Sequence, residues 1–185
     1  MNDVINQWWN PFIQQQREEF TSFIAAVEEY LGQRPRKILD IGTNKGGTAL
    51  MFQHIASEGC ISIDIRGREV GIPDAWFPKV HFIVGDSSSP EVIAEIQQNG
   101  PYDLIFIDGD HSYDGTKKDW ELSKKLISSP GVIGFHDIGF RRYKDMDSEI
   151  YCGIVFEEIV NSRQYETSEF FVEFGIGMVR IKTEE

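Results

Sequence analysis

Two groups of residues in this sequence have the types and spacing that chemistry needs. The first is the run Asp40-Ile41-Gly42-Thr43-Asn44-Lys45-Gly46-Gly47-Thr48, followed by Asp64 and Asp86, each closing an apolar stretch. Glycines in such a turn let the backbone pass close to a ligand, and a helix after them presents free N–H groups. Asp64 stands 22 residues after Gly42, where a carboxylate can accept both hydroxyls of a ribose. Asp86 is placed to accept from an adenine amino group. Either aspartate alone reads as a loop cap, but three acidic tips in order, Asp40, Asp64 and Asp86, point to a nucleoside-bearing ligand. The glycine spacing is GxxxGG, so the GxGxxG of dinucleotide sites and the GxxxxGK[ST] of phosphate loops are both missing. A nicotinamide-dependent sugar-modifying enzyme would also need a Tyr-x-x-x-Lys pair, which does not occur in the expected place.

The second group follows two further apolar runs. Leu104-Ile105-Phe106-Ile107 leads into Asp108, Asp110 and His111, and Val132-Ile133-Gly134-Phe135 leads into His136 and Asp137. Neighbouring parallel strands lie about 4.8 Å apart, so side chains beyond both tips can converge on one point. Oxygen-rich ligation with one imidazole suits Mg²⁺ or Mn²⁺. Such an ion lowers the pKa of a bound hydroxyl, and His111, three residues after Asp108, is the candidate base for its proton. A plainer reading has Asp108 and His111 capping the next helix and His136-Asp137 forming a loop turn with no ion. An amine acceptor would need no metal, and the same aspartates would orient it.

The elements that must position these residues alternate. Phe20, Phe23, Ile24, Val27 and Leu31 recur at three- and four-residue steps and predict an amphipathic helix from Ile13 to Leu31. Strands are expected at Lys37–Ile41, Cys60–Ile65, Val80–Val84, Tyr102–Ile107 and Val132–Phe135. Helices are expected at Thr48–Ser57, after the Ser89 cap with Pro90 at the first helical position, at Tyr113–Ile127 and at Gly153–Val160. Glu169–Phe174 and Ile176–Ile181, separated only by Gly175, should pair antiparallel as a hairpin. The pattern implies an α/β fold with a mainly parallel, doubly wound sheet covered on both faces.

At 185 residues, with 41% hydrophobic composition, the chain suits one globular domain over 1–185, residues 1–31 forming a helical N-terminal extension. Thirty acidic residues against 18 basic ones give a net charge of -12, opposite in sign to a phosphate-tracking surface, so nucleic acid is excluded as the principal partner. Two cysteines without metal-type spacing, Cys60 and Cys152, read as buried thiols of a reducing cytoplasm. No apolar run reaches the 18 or so residues of a membrane span, and the N-terminus lacks the pattern of a secretion signal.

From about Lys37 to Ile181 the sequence resembles the class I S-adenosylmethionine-dependent methyltransferases. Lys37 to Thr48 is similar to their first motif, Ser62-Ile63-Asp64-Ile65 to the second and Val84-Gly85-Asp86-Ser87 to the third. The GxxxGGT variant, with Phe106-Ile107-Asp108-Gly109-Asp110-His111-Ser112-Tyr113 downstream, looks more narrowly like small metal-dependent O-methyltransferases of the macrocin and cephalosporin-tailoring type. The resemblance implies a Rossmann-like sheet of order 3-2-1-4-5-7-6 with strand 7 antiparallel. It implies cofactor contacts from Asp40, Gly42, Thr43, Gly46, Gly47, Thr48, Asp64, Asp86, Ser87 and Asp108. Gly42 and Gly46 would flank the methionine part, Asp64 the ribose and Asp86 the adenine. Asp108 and Asp137 match the family's metal pattern, and His136 stands where that pattern often has a carboxylate. The implied activity is methyl transfer from S-adenosylmethionine to a small acceptor, an oxygen beside Mg²⁺ or Mn²⁺, with Asp108 and His111 catalytic. Metal-independent N-methylation and a non-catalytic cofactor-binding module are the alternatives.

Three features are weaker. Arg141-Arg142-Tyr143-Lys144 is the only dense basic run, suited to an acidic acceptor but read first as a solvated loop. Trp8, Trp9 and Phe12 either pack on the core, fold over the acceptor pocket or meet a second copy in a homo-oligomer, with core packing the default. Trp120 reads as core, and His54 and His81 show no partner in the sequence.

Overall fold

The computed structural model describes residues 2–68, 72–139 and 150–182. Helices α1 (Asn2–Trp8) and α2 (Arg17–Leu31) precede β1 (Lys37–Ile41), α3 (Gly47–Ile55), β2 (Gly59–Asp64), β3 (Val80–Val84), α4 (Pro90–Asn99) and β4 (Tyr102–Ile107). Then come α5 (Tyr113–Leu126), β5 (Ile127–Phe135), α6 (Cys152–Ser162), β6 (Glu166–Phe170) and β7 (Ile176–Ile181). The seven strands form one sheet of order β3-β2-β1-β4-β5-β7-β6. Strands β1 to β5 run parallel, and β7 is antiparallel to both β5 and β6, as the resemblance implied.

Central strand β4 is buried along its whole length because helices cover both faces. Its alternation sends Ile105 and Ile107 into one core with Trp120 of α5 and Phe156 of α6. Leu104 and Phe106 enter the other, with Phe20 and Phe23 of α2 and Phe52 of α3. Trp8 and Trp9 pack at the edge of this second core, and Phe12 packs on a smaller cluster around Leu50 and Phe77. Trp120 is core, as expected. His54 stacks on Trp8 with ring centroids 3.7 Å apart, and His81 meets Glu95 at 2.7 Å.

Helix α4 starts where its cap signal placed it, with Ser89 Oγ accepting from Val92 N. Strand β5 starts at Ile127, five residues before the expected Val132, and two further boundaries differ from expectation for long-range reasons. The helix expected from Ile13 begins only at Arg17. Before it, Phe12 N donates to Asn10 Oδ1, and residues 9–16 cross the molecule as a non-helical strap. The strand expected at Glu169–Phe174 is instead Glu166–Phe170. The backbone N–H groups of Val172, Glu173 and Gly175 do not enter a ladder, because all three donate to Oε1 of Glu19 in the first turn of α2.

Glu19 is 1% exposed, so this carboxylate clamps the β6–β7 connection to α2 away from competing water. Glu19→Ala should leave three donors without their acceptor and cost about 2–4 kcal/mol. Glu19→Gln, which keeps a neutral acceptor, should cost less. Urea denaturation of the two variants against wild type checks the order.

Candidate functional site

The chain leaves β1 at Ile41 and turns at once. Gly42 sits at φ +111°, and a Cβ there would lie 2.0 Å from the carbonyl oxygen of Asp108. Only glycine allows β1 and β4 to meet this closely. The turn is held on both sides: Gly42 N and Thr43 N donate to Ile63 O of β2, and Asp108 N donates to Ile41 O. Gly46, at φ +85°, caps α3. Gly47 admits the strap, since a Cβ there would strike the Phe12 backbone at 2.4 Å.

Beyond this turn, at the carboxyl ends of β1, β2, β3 and β4, lies a cleft of about 560 Å³. Gly42, Asp64, Asp86, Ser87 and Asp108 line it, together with Gln14, Asn44, Arg68 and Asp119, which sequence reasoning did not identify. Asp64 is held by Asn44 N at Oδ2 and Arg66 N at Oδ1, which leaves each oxygen capacity to accept a further bond. Asp86 takes both the backbone N and the hydroxyl of Ser88, and these bonds lower its pKa. Ser87 Oγ donates to Asp119 Oδ1 at 2.6 Å.

Other expected cofactor residues lie behind the turn instead. Asp40 is fully buried, and burial holds its carboxyl well above the usual carboxylate range. It accepts from Ser62 Oγ, which in turn meets Thr43 Oγ1 at 2.7 Å. Thr48 is buried and donates to Gln15 Oε1. The side chains of Asp40, Thr43 and Thr48 therefore brace the turn from beneath. Gly46 and Gly47 are buried at the start of α3 and give the cleft no side chain.

The second group gathers beside the cleft. His111 Nε2 lies 3.5 Å from Asp108 Oδ1 and 3.5 Å from Asp137 Oδ2. His136 Nδ1 lies 3.1 Å from Asp108 Oδ1 and 3.4 Å from Asp137 Oδ1. Asp137 is held at φ +59°, a conformation rare for aspartate, which turns its carboxylate back toward the β4 tip. Desolvation pushes Asp108 up, but the two imidazoles outweigh it and hold its carboxyl down at about 2. Burial likewise opposes a charge on His136, yet Asp108 and Asp137 raise it to about 10. His111 is raised by its bond to Asp108 against the pull of burial.

Of the expected ligands Asp108, His136 and Asp137, the two aspartates fall in a group of side chains that could hold a cation. The third member is His111: one ligand atom from each of Asp108, His111 and Asp137 falls within 4.8 Å of the others, the group of this kind found among the described residues. His136 lies deeper, its ring against Phe106 and Phe174, and its Nε2 is buried with no hydrogen-bond partner among the described residues. Asp110 accepts from Ser112 N, while Ser112 caps α5. The basic run Arg141 to Lys144 lies outside the described residues.

A family model for a methyltransferase domain matches residues 39–138. No curated protein sequence matches. Among solved structures, cofactor-bound Rv0187 from MTB is similar with a TM-score of 0.71 at 13% identity, over 99% of this chain and 88% of that one. The O-methyltransferase TomG from Streptomyces achromogenes, solved with SAM, gives 0.66 at 12% identity over 98% and 87%. The MycE methyltransferase of mycinamycin biosynthesis, solved with Mg and SAH, gives 0.67 at 13% over 97% of this chain and 54% of that one. At these identities the likeness is one of fold.

Asp119 supplies a test of the cleft's electrostatics. It is 3% exposed, and burial raises its carboxyl from 3.8 to about 6. A carboxyl whose folded-state value lies above its unfolded one favours the fold most below the unfolded value, and that contribution is lost as pH rises through the folded value. Asp119→Asn should therefore remove about 3 kcal/mol of pH-dependent destabilisation between about pH 4 and 7. Urea denaturation of both proteins at each pH reads the difference.

Proposed function

The chain belongs to the methyltransferase domain family, and from that premise we propose that it moves the methyl group of S-adenosylmethionine to an oxygen of a small-molecule acceptor beside a divalent cation. The observation that carries this reading is the adjacency of the cleft beyond Gly42 to the Asp108–His111–Asp137 cluster at the tips of β4 and β5.

In this reading Asp64 accepts the ribose hydroxyls with the lone pairs its loop bonds leave open, and Asp86 and Ser87 face the adenine end. Gly42 gives the donor's methionine part its close approach to the backbone. Asp108, His111 and Asp137 would hold Mg²⁺ or Mn²⁺, which when bound lowers the pKa of an acceptor hydroxyl. In-line attack on the sulfonium methyl then depends on alignment and on exclusion of water. His111 faces both carboxylates with the same Nε2 atom, so that atom carries either a cation or a proton. Its bond to Asp108, which favours protonation, supports a second reading in which His111 serves as a metal-independent base, as for an amine acceptor. Two buried free thiols fit a reducing, cytoplasmic setting, and no helix among the described residues is long and apolar enough to cross a membrane.

Calorimetric titration with S-adenosylhomocysteine, with and without Mg²⁺ and with NAD as control, tests the reading. Homocysteine-nucleoside binding without NAD heat is expected, together with a separate heat for the ion. Absence of both heats overturns the reading, and nucleoside binding without ion heat selects the metal-independent one. Asp64→Ala should weaken the nucleoside by about 1–3 kcal/mol through loss of charge-assisted bonds. Asp137→Ala should remove the ion heat and spare the nucleoside affinity.

A further inference from the structure

Among the described polar groups outside the three candidate ligands, Gln15 reaches the cation cluster from a different part of the chain. Gln15 lies in the strap before α2, far from Asp108 in sequence, and is 5% exposed. Its Nε2 donates to Asp108 Oδ2 at 2.7 Å, and its Oε1 accepts from Thr48 Oγ1 at 2.9 Å. The amide has one workable orientation. A carboxylate only accepts, so turning the amide over would set two oxygens against each other.

We propose that Gln15 is a positioning residue that fixes the Asp108 carboxylate for divalent-cation binding, an inference that rests on the cation reading above. The amide occupies Oδ2 and so turns Oδ1 toward the imidazoles, 3.1 Å from His136 Nδ1 and 3.5 Å from His111 Nε2. The neutral amide orients the carboxylate through a hydrogen bond and brings no charge of its own to the cluster.

The strap gives Gln15 a firm base. Asn10 Nδ2 donates to Gly47 O, and the Phe12 backbone fills the space a side chain at position 47 would take. Gln14 Oε1 accepts from Asn44 Nδ2 on the glycine turn. Through Thr48 the same amide is tied to the start of α3, so it links the glycine turn to the cation cluster.

The test is Mn²⁺ binding to the full chain, read by electron paramagnetic resonance of the free ion. Wild type is compared with Gln15→Met, which keeps length and bulk but cannot donate, and with Gln15→Leu as a second variant. Thermal unfolding and S-adenosylhomocysteine binding establish that each variant is folded. Outer-sphere partners of metal ligands typically matter by about 10- to 100-fold in affinity, and a loss in that range is expected. A merely structural role would lower the unfolding temperature and leave Mn²⁺ affinity in place. Wild-type binding with affinity within twofold in a folded variant overturns this inference alone. No Mn²⁺ binding by wild type overturns the cation reading and this inference with it.

Discussion

The close approach of β1 and β4 at their carboxyl ends governs this molecule. Strand order reverses there, with β2 and β3 on one side of β1 and β5 beyond β4 on the other, and a cleft opens where the connections diverge. The approach is tight enough that position 42 admits no Cβ. Pinned to Ile63 O on one side and to the start of the Asp108 loop on the other, the turn has little freedom. Asp64, Asp108 and the first turn of α3 therefore keep fixed relative positions. The buried Asp40–Ser62–Thr43 chain beneath the turn serves the same end, which is why those residues occur at the motif without facing the cleft.

Charge is the second organising factor. The cleft is lined by Asp64, Asp86, Asp108, Asp110 and Asp119, and such a field attracts cations, a sulfonium among them. The surroundings set the ionisation of Asp108 and Asp119 apart. His136, buried and raised to about 10, holds Asp108 down at about 2, whereas burial, with Asp110 and Asp86 nearby, raises Asp119 to about 6. His136 thus acts from below as a cationic support, while His111 above it shares the same two carboxylates and faces the cleft.

Features encoded by short-range pattern were legible in the sequence. Strands β3 and β4 lie where their apolar runs end, and α4 begins at its Ser-Pro cap. The sheet order followed from the motif resemblance together with the terminal antiparallel pair. What was not legible depended on where a side chain points after its strand ends. His136 and Asp137 are neighbours, yet the positive φ at Asp137 sends one into the core and the other to the cluster edge. No spacing rule carries that information. The β6 boundary escaped for a related reason, since its backbone donors are claimed by Glu19, more than 150 residues earlier in the chain.

The strap shows why such contacts evade periodicity. Gln14, Gln15 and Gln16 are consecutive and chemically identical, yet each meets a different element. Gln14 meets Asn44 on the glycine turn, Gln15 meets Asp108 and Thr48, and Gln16 donates to Glu173 in the β6–β7 connection. Were the helix expected from Ile13 to continue through them, successive side chains would diverge by about 100° and rise only 1.5 Å each, too compact to span these partners. The extended backbone at Gln16 lets the three fan out before α2 begins. The non-helical conformation is therefore imposed by three separate polar destinations, and the amphipathic pattern starts only once they have been reached.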